Sequence, residues 1–223
     1  MKVLVFGATG MVGQGVLREC LRAADVTQVV TLGRSATGID HPKLREIVHP
    51  DLFDYAGLEE ELAGFDACFF CLGVSSLGMA EADYRRVTHD LTLAAARALA
   101  PRNPAMTFVY VTGAGSDSAS RTMWARVKGE TENALQFLPF KAVYLFRPGI
   151  IQPLNGARPK VAWIQAIYLL LSPVFSLARR LLPRWVLTTE VIGQAMLNVA
   201  RHGAPQPVLE MADIDAAAKE AAA

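Results

Sequence analysis

Three glycines at even spacing, Gly7, Gly10 and Gly13, follow an apolar run, Lys2-Val-Leu-Val-Phe6, and precede an amphipathic stretch, Gln14-Gly-Val-Leu-Arg-Glu-Cys-Leu-Arg22. Each glycine has a physical task in a phosphate site. Gly7 lets the chain turn, Gly10 leaves room for a pyrophosphate against the backbone, and Gly13 lets the helix pack close to the strand. The helix start adds free N–H groups and a positive dipole end. The loop contacts expected for a dinucleotide are Gly7, Thr9, Gly10, Met11, Val12 and Gly13. The apolar face Val12, Val16, Leu17, Cys20 and Leu21 supports the helix.

A second position selects the dinucleotide. The next apolar run ends in Thr31-Leu-Gly-Arg34-Ser35. An acid there would bind a ribose 2′-hydroxyl; an arginine about twenty residues past the loop suits a 2′-phosphate. A guanidinium pairs well with phosphate and Ser35 adds a hydroxyl, so NADP is favoured and NAD stays open. Past the third run, Asp51 and Leu52 are candidates for the adenine side. Asp51 could equally cap a helix. Gly73, past the fourth run, would allow close backbone approach or serve as a plain turn.

The elements that must hold these residues alternate strand and helix. Strands are expected at Lys2–Phe6, Gln28–Leu32, Lys43–Val48, Ala67–Leu72, Met106–Val111 and Lys141–Phe146, with a last edge strand at Pro207–Met211. Helices are expected from the glycine loop to Arg22, briefly at Glu59–Ala63, at Ala80–Ala100, and at Arg121–Leu138. A last helix follows Thr188-Thr189-Glu190, with Thr189 as its cap. This pattern predicts an α/β fold: a Rossmann-type doubly wound parallel sheet with a small helical C-terminal lobe, its ligands at the carboxyl ends of the strands. The expected division is one domain over 1–212, with 150–187 as substrate lobe or lid, and a tail over 213–223 that frays.

Composition narrows the function. The 223 residues carry a net charge of +1, which argues against a broad nucleic-acid surface. The cysteines Cys20, Cys68 and Cys71 form no disulfide framework; Cys68 and Cys71 lie in an apolar run and read as buried strand residues. His41, His49 and His202 have no metal-ligand spacing, and no metal is expected; His89 reads as a surface or packing histidine rather than a base. The N-terminus reads directly into a strand rather than a signal peptide, so a reducing cytoplasm is expected.

These motifs resemble the short-chain dehydrogenase/reductase superfamily, in its extended and atypical branches of NAD(P)-binding, epimerase/dehydratase-like proteins. The resemblance is closest to the Tat-interacting-protein-like group. It rests on Gly7-Ala-Thr-Gly-x-x-Gly13, Gly33-Arg34, Cys71-Leu72-Gly73, Val111-Thr-Gly-Ala-Gly-Ser116, Val127-Lys128-Gly-Glu130 and Arg147-Pro148-Gly149, which cover most of the chain. It implies that Cys71, Leu72, Lys128, Arg147, Pro148 and Gly149 face the cofactor. It also implies a catalytic tyrosine four residues before the lysine, where i and i+4 share a helix face and the ammonium lowers the phenol's pKa. Lys128 matches the lysine, but Trp124 stands where the tyrosine belongs, and an indole cannot titrate near neutral pH. Ser116 matches a helper hydroxyl by spacing, with Ser118 beside it; Tyr84 is a further candidate acid near the cleft edge.

Residues 161–178 carry no charge and are flanked by Arg158, Lys160, Arg179, Arg180 and Arg184. Ser172-Pro173 breaks the run and argues for two short helices rather than a span. A lid over the nicotinamide end is preferred. Peripheral membrane contact through 161–182 and a homodimer face stay open. Two functions follow: an NADP-dependent oxidoreductase acting on an apolar carbonyl or hydroxyl compound, or a dinucleotide-binding sensor or scaffold that has lost its acid.

Overall fold

Hydrophobic strands that carry no polar face need cover on both sides, and that requirement organises the chain. In a computed structural model, which describes residues 1–154 and 186–219, strands β1 (Lys2–Phe6), β2 (Gln28–Gly33), β3 (Leu44–Val48), β4 (Ala67–Phe70), β5 (Thr107–Val111), β6 (Ala142–Arg147) and β9 (Val208–Glu210) form one sheet. Its order is β3-β2-β1-β4-β5-β6-β9, and each adjacent pair is parallel. A separate parallel pair joins β7 (Ile150–Gln152) to β8 (Val186–Thr188).

Alternating side chains enter two cores. Val3, Val5, Val29, Phe69 and Val109 pack under α1 (Met11–Arg22), α5 (Thr189–His202) and α6 (Met211–Lys219). Leu4, Phe6, Val30, Phe70, Phe108 and Tyr110 face the other helical layer. That layer holds the helix over residues 81–102 and α4 (Met123–Gln136). Chain order reverses between β1 and β4, so their carboxyl ends open a crevice at the sheet's switch point.

The structure departs from the sequence expectations in particular places. The expected helix at Glu59–Ala63 is a set of turns. Gly57 and Gly64 bracket it with positive φ, and buried Asn103 takes the Leu62 carbonyl through Nδ2 at 2.7 Å. A segment that short does not nucleate a helix on its own. The expected helix at Ala80–Ala100 is α2 (Glu81–Arg85), a π turn (Arg86–Asp90) and α3 (Leu91–Leu99), with Pro101 inside a closing 3₁₀ turn. Strand β4 ends at Phe70, two residues before the expected Leu72.

The cap of α5 is Thr188, whose hydroxyl accepts from Val191 N at 3.1 Å; Thr189 is already helical. The expected frayed tail is instead α6 through Lys219. Ile214 is fully buried there, and Asp213 accepts from Glu210 N at 3.0 Å. The expectations placed on 161–182, as lid, membrane surface or dimer face, lie mostly or wholly outside the described residues. Among the described residues, no helix is long and apolar enough to cross a membrane.

Thr188→Ala should lower stability by about 1 kcal/mol through the lost cap. Denaturant unfolding measures this, and an unchanged midpoint would contradict the cap.

Candidate functional site

The glycine turn is built by close approach. Gly7 has φ +76°, and its carbonyl accepts from Gly10 N at 2.8 Å. A Cβ on Gly13 would lie 2.0 Å from that same carbonyl oxygen, so α1 can start here only without one. α1 then presents its first N–H groups at the carboxyl end of β1.

Beside this turn lies a cavity of about 320 Å³, lined by Gly7, Ala8, Thr9, Thr31, Leu32, Gly33, Arg34, Ser35, Thr37, Leu52 and Leu72. The structure therefore brings Gly7, Thr9, Arg34, Ser35, Leu52 and Leu72 together. Arg34 and Ser35 are exposed at the rim, and the Arg34 guanidinium makes no hydrogen bond or ion pair with any described residue. A turn that presents backbone N–H groups, beside a cavity rimmed by a guanidinium without a partner among the described residues, fits the phosphates of a nicotinamide dinucleotide.

Gly10, Met11, Val12 and Gly13 lie on the loop and first turn of α1 rather than in that lining. Cys71 and Gly73 flank Leu72 at the end of β4, and nothing lies within 4 Å of a Cβ built on Gly73. Asp51 is exposed and turns back to accept from Phe53 N at 2.9 Å, which gives its carboxylate a turn role.

One residue behind this rim, Glu46, escapes a motif reading. Glu46 Oε2 accepts from Thr31 Oγ1 at 3.1 Å and from Thr37 N at 2.7 Å. It thereby pins the loop that carries Arg34. The signal was the parallel register, which sets Glu46 opposite Thr31.

The other end of the crevice gathers at β5, α4 and β6. Lys128 Nζ lies 3.9 Å from a Cβ built on Gly113, and the Trp124 ring lies 3.8 Å from that same point. The indole also reaches over Gly115 at 3.8 Å. α4 can come this near because Gly129 packs on the Asp117–Ser118 backbone, where a Cβ would sit 2.2 Å from Ser118 N. Lys128 is partly buried and has no hydrogen bond or ion pair with a described residue. Burial pushes its ammonium down to about 8, against a smaller opposite pull from Glu132.

The hydroxyls at this edge bond inward. Ser116 is 3% exposed, donates to the Gly113 carbonyl at 2.8 Å and shares a 2.9 Å contact with Thr112. Ser118 accepts from Asn133 Nδ2 at 3.1 Å. Tyr84, expected at the cleft edge, is 2% exposed, and burial raises its phenol. It is a core residue. Burial likewise raises the thiols of Cys68 and Cys71.

The Arg147 guanidinium is engaged rather than free. It holds buried Glu132 by two bonds, 3.1 Å and 2.5 Å, and Glu210 at 3.1 Å. Pro148 accepts from Ala114 N at 3.1 Å, and Gly149 lies against Met211. The 147–149 turn thus locks β6 to the β5 turn, α4 and β9.

A model of the NAD dependent epimerase/dehydratase family matches residues 3–119. The mitochondrial protein fmp52 of Emericella nidulans is 29% identical over 204 residues, 88% of this chain and 85% of that one. Rat protein HTATIP2 is 28% identical over 152 residues, 67% of this chain and 62% of the rat protein. The Bordetella bronchiseptica enzyme WbmF, solved with NAD+, shares the fold with a TM-score of 0.67 at 16% identity, over 98% of this chain and 77% of that one.

Removing Arg147 strands a buried carboxylate. Arg147→Ala should destabilise by about 3–5 kcal/mol, read as a fall in the denaturation midpoint. Lys128 acts in the opposite sense, because its folded pKa lies below the ordinary 10.5. The folded state therefore disfavours the ammonium fully below about pH 8, and the penalty fades as pH rises to 10.5. Lys128→Met should stabilise by about 2 kcal/mol at neutral pH, a gain that shrinks toward pH 10.5 in a melting series.

Proposed function

The chain belongs to the NAD dependent epimerase/dehydratase family, and from that premise we propose that it is an NADP-preferring oxidoreductase of an apolar carbonyl or hydroxyl compound. The observation that carries the cofactor preference is Arg34. Its guanidinium stands on the rim of the glycine-loop cavity, without a partner among the described residues, and the end of β2 bears no carboxylate that would choose a ribose 2′-hydroxyl. Ser35 adds a hydroxyl donor beside it, and Glu46 keeps the loop in place.

When bound, the nicotinamide would supply the hydride chemistry. The chain's part is to hold the cofactor and handle a proton. Gly7, Gly10 and Gly13 would receive the pyrophosphate, Leu52 and Leu72 would give apolar walls on the adenosine side, and Lys128 would stand at the nicotinamide end. The apolar substrate class rests on the uncharged sequence 161–178. A reducing compartment suits the free cysteines Cys20, Cys68 and Cys71; the printed name of the Emericella nidulans relative places that protein in mitochondria.

Trp124 favours a second reading, a dinucleotide-binding sensor or scaffold, because an indole stands four residues before Lys128 where the family phenol is expected. Calorimetric titration tests the cofactor. Arg34→Ala should weaken NADPH by about 10- to 100-fold, the worth of a charged hydrogen bond, and leave NADH nearly unchanged. Equal losses for both would remove Arg34 from the site. For turnover, wild type and Trp124→Tyr are compared on NADPH oxidation with apolar aldehydes. The oxidoreductase reading expects activity in wild type; activity that appears only in the variant favours the sensor.

A further inference from the structure

Proton transfer at the nicotinamide end needs a group that can release a proton near neutral pH and is free to do so. Position 124 is an indole, which cannot. Ser116 spends its proton on the Gly113 carbonyl, and Thr112 and Ser116 face each other. Asp117 accepts from Ala119 N at 2.9 Å. Glu132 is held by both arms of Arg147. Tyr84 is inside the core. Among the described residues at this edge, Lys128 alone presents a titratable head with no partner, against the Gly113 turn and beside the Trp124 ring.

We propose that Lys128 itself is the proton-transferring residue of this site, its ammonium serving as the acid where the expected phenol is an indole. The inference rests on the oxidoreductase reading above.

The step balances. One Nζ–H bond breaks as an O–H bond forms on the substrate's carbonyl oxygen, and the electron pair of the broken bond stays on nitrogen. The neutral amine then takes a proton from water. The new C–H bond on the carbonyl carbon would take its hydrogen and electron pair, as hydride, from a reduced nicotinamide dinucleotide, which would leave oxidised. In the reverse direction, the neutral amine accepts the hydroxyl proton.

The surroundings suit this task. An ordinary lysine holds its proton too tightly to give it up quickly near pH 7, and acid catalysis is most efficient when the pKa approaches the working pH. Partial burial beside an indole brings Lys128 into that range. Among the described residues, the charge that acts on it is Glu132, one turn on along α4, and Arg147 of β6 holds that carboxylate. Arg126 and Glu130, two residues to either side of Lys128, lie on another face of α4. From α2, Arg85 pairs with Glu130 and Glu81 with Arg126. These acids and bases are mutually paired, so Glu132 acts on Lys128 only weakly and burial prevails.

Lysine 13Cε NMR of the whole chain, with the signal assigned by its loss in Lys128→Arg, reads the titration without any turnover. The expected midpoint is near pH 8. Alongside it, reduction of 4-nitrobenzaldehyde by NADPH should decline above that same midpoint. Lys128→Arg should still bind NADPH but react at least about 100-fold more slowly, since a guanidinium does not release its proton. A midpoint above pH 10, or turnover that survives Lys128→Arg, would overturn the role of Lys128 and leave the oxidoreductase reading standing. NADPH binding without turnover in the wild type would overturn both.

Discussion

A parallel sheet of apolar strands cannot leave either face in water, and the rest of this structure depends on that constraint. Each crossover must return over the sheet, so helices cover both faces. All seven strands then point their carboxyl ends to one edge. The glycine turn after β1, Leu72 after β4, Thr112 after β5 and Arg147 at the end of β6 share that edge because of the topology. No sequence neighbourhood joins them. Residues of the candidate site from four separate stretches of chain meet where the helical cover stops.

Close backbone contact does the fine placement. Gly13 rests on the Gly7 carbonyl and Gly129 on the Asp117–Ser118 backbone. One contact sets the start of α1 against β1, and the other sets α4 against the β5 turn. The second is what brings Lys128 and Trp124 over Gly113. The Arg147–Glu132 pair then clamps α4 to β6. A buried ion pair of this kind contributes little net stability, since desolvation offsets attraction, yet it fixes one arrangement. The two ends of the crevice are thus held differently: a pinned loop at Arg34, a clamped helix at Lys128. Lys128 also carries a desolvation penalty that Glu132 offsets only in part, with no hydrogen-bond or ion-pair partner among the described residues; such penalties cluster at functional sites.

How legible the fold was depended on the range of the forces involved. The strands could be read within a residue or two, because burial on both faces writes continuous apolar runs. The glycine loop was legible because its steric demands are local. The turns at Glu59–Ala63 were not, because Asn103, about forty residues away in sequence, supplies the hydrogen bond that holds Leu62. The cap of α5 moved from Thr189 to Thr188 because two adjacent threonines cannot be ranked from sequence. Which one caps depends on where β8 ends. The tail at Asp213 looked like a simple alanine-rich end, yet Ile214 finds a pocket against the sheet's first layer. Glu46 went unread because its partner, Thr31, lies on another strand.

The sequence by itself determined the doubly wound architecture, the site's glycine turn, Arg34 at the end of β2 and the missing phenol at position 124. These are residue identities and short-range patterns, and local sterics or periodicity suffice to read them. Only the tertiary structure decided which of the candidate groups are free. It tied Ser116 to Gly113, sank Tyr84 into the core, bound Arg147 to Glu132 and left Lys128 and Arg34 without partners among the described residues. Whether a polar group is engaged depends on what long-range packing sets beside it, and that neighbour is not written in its own stretch of chain.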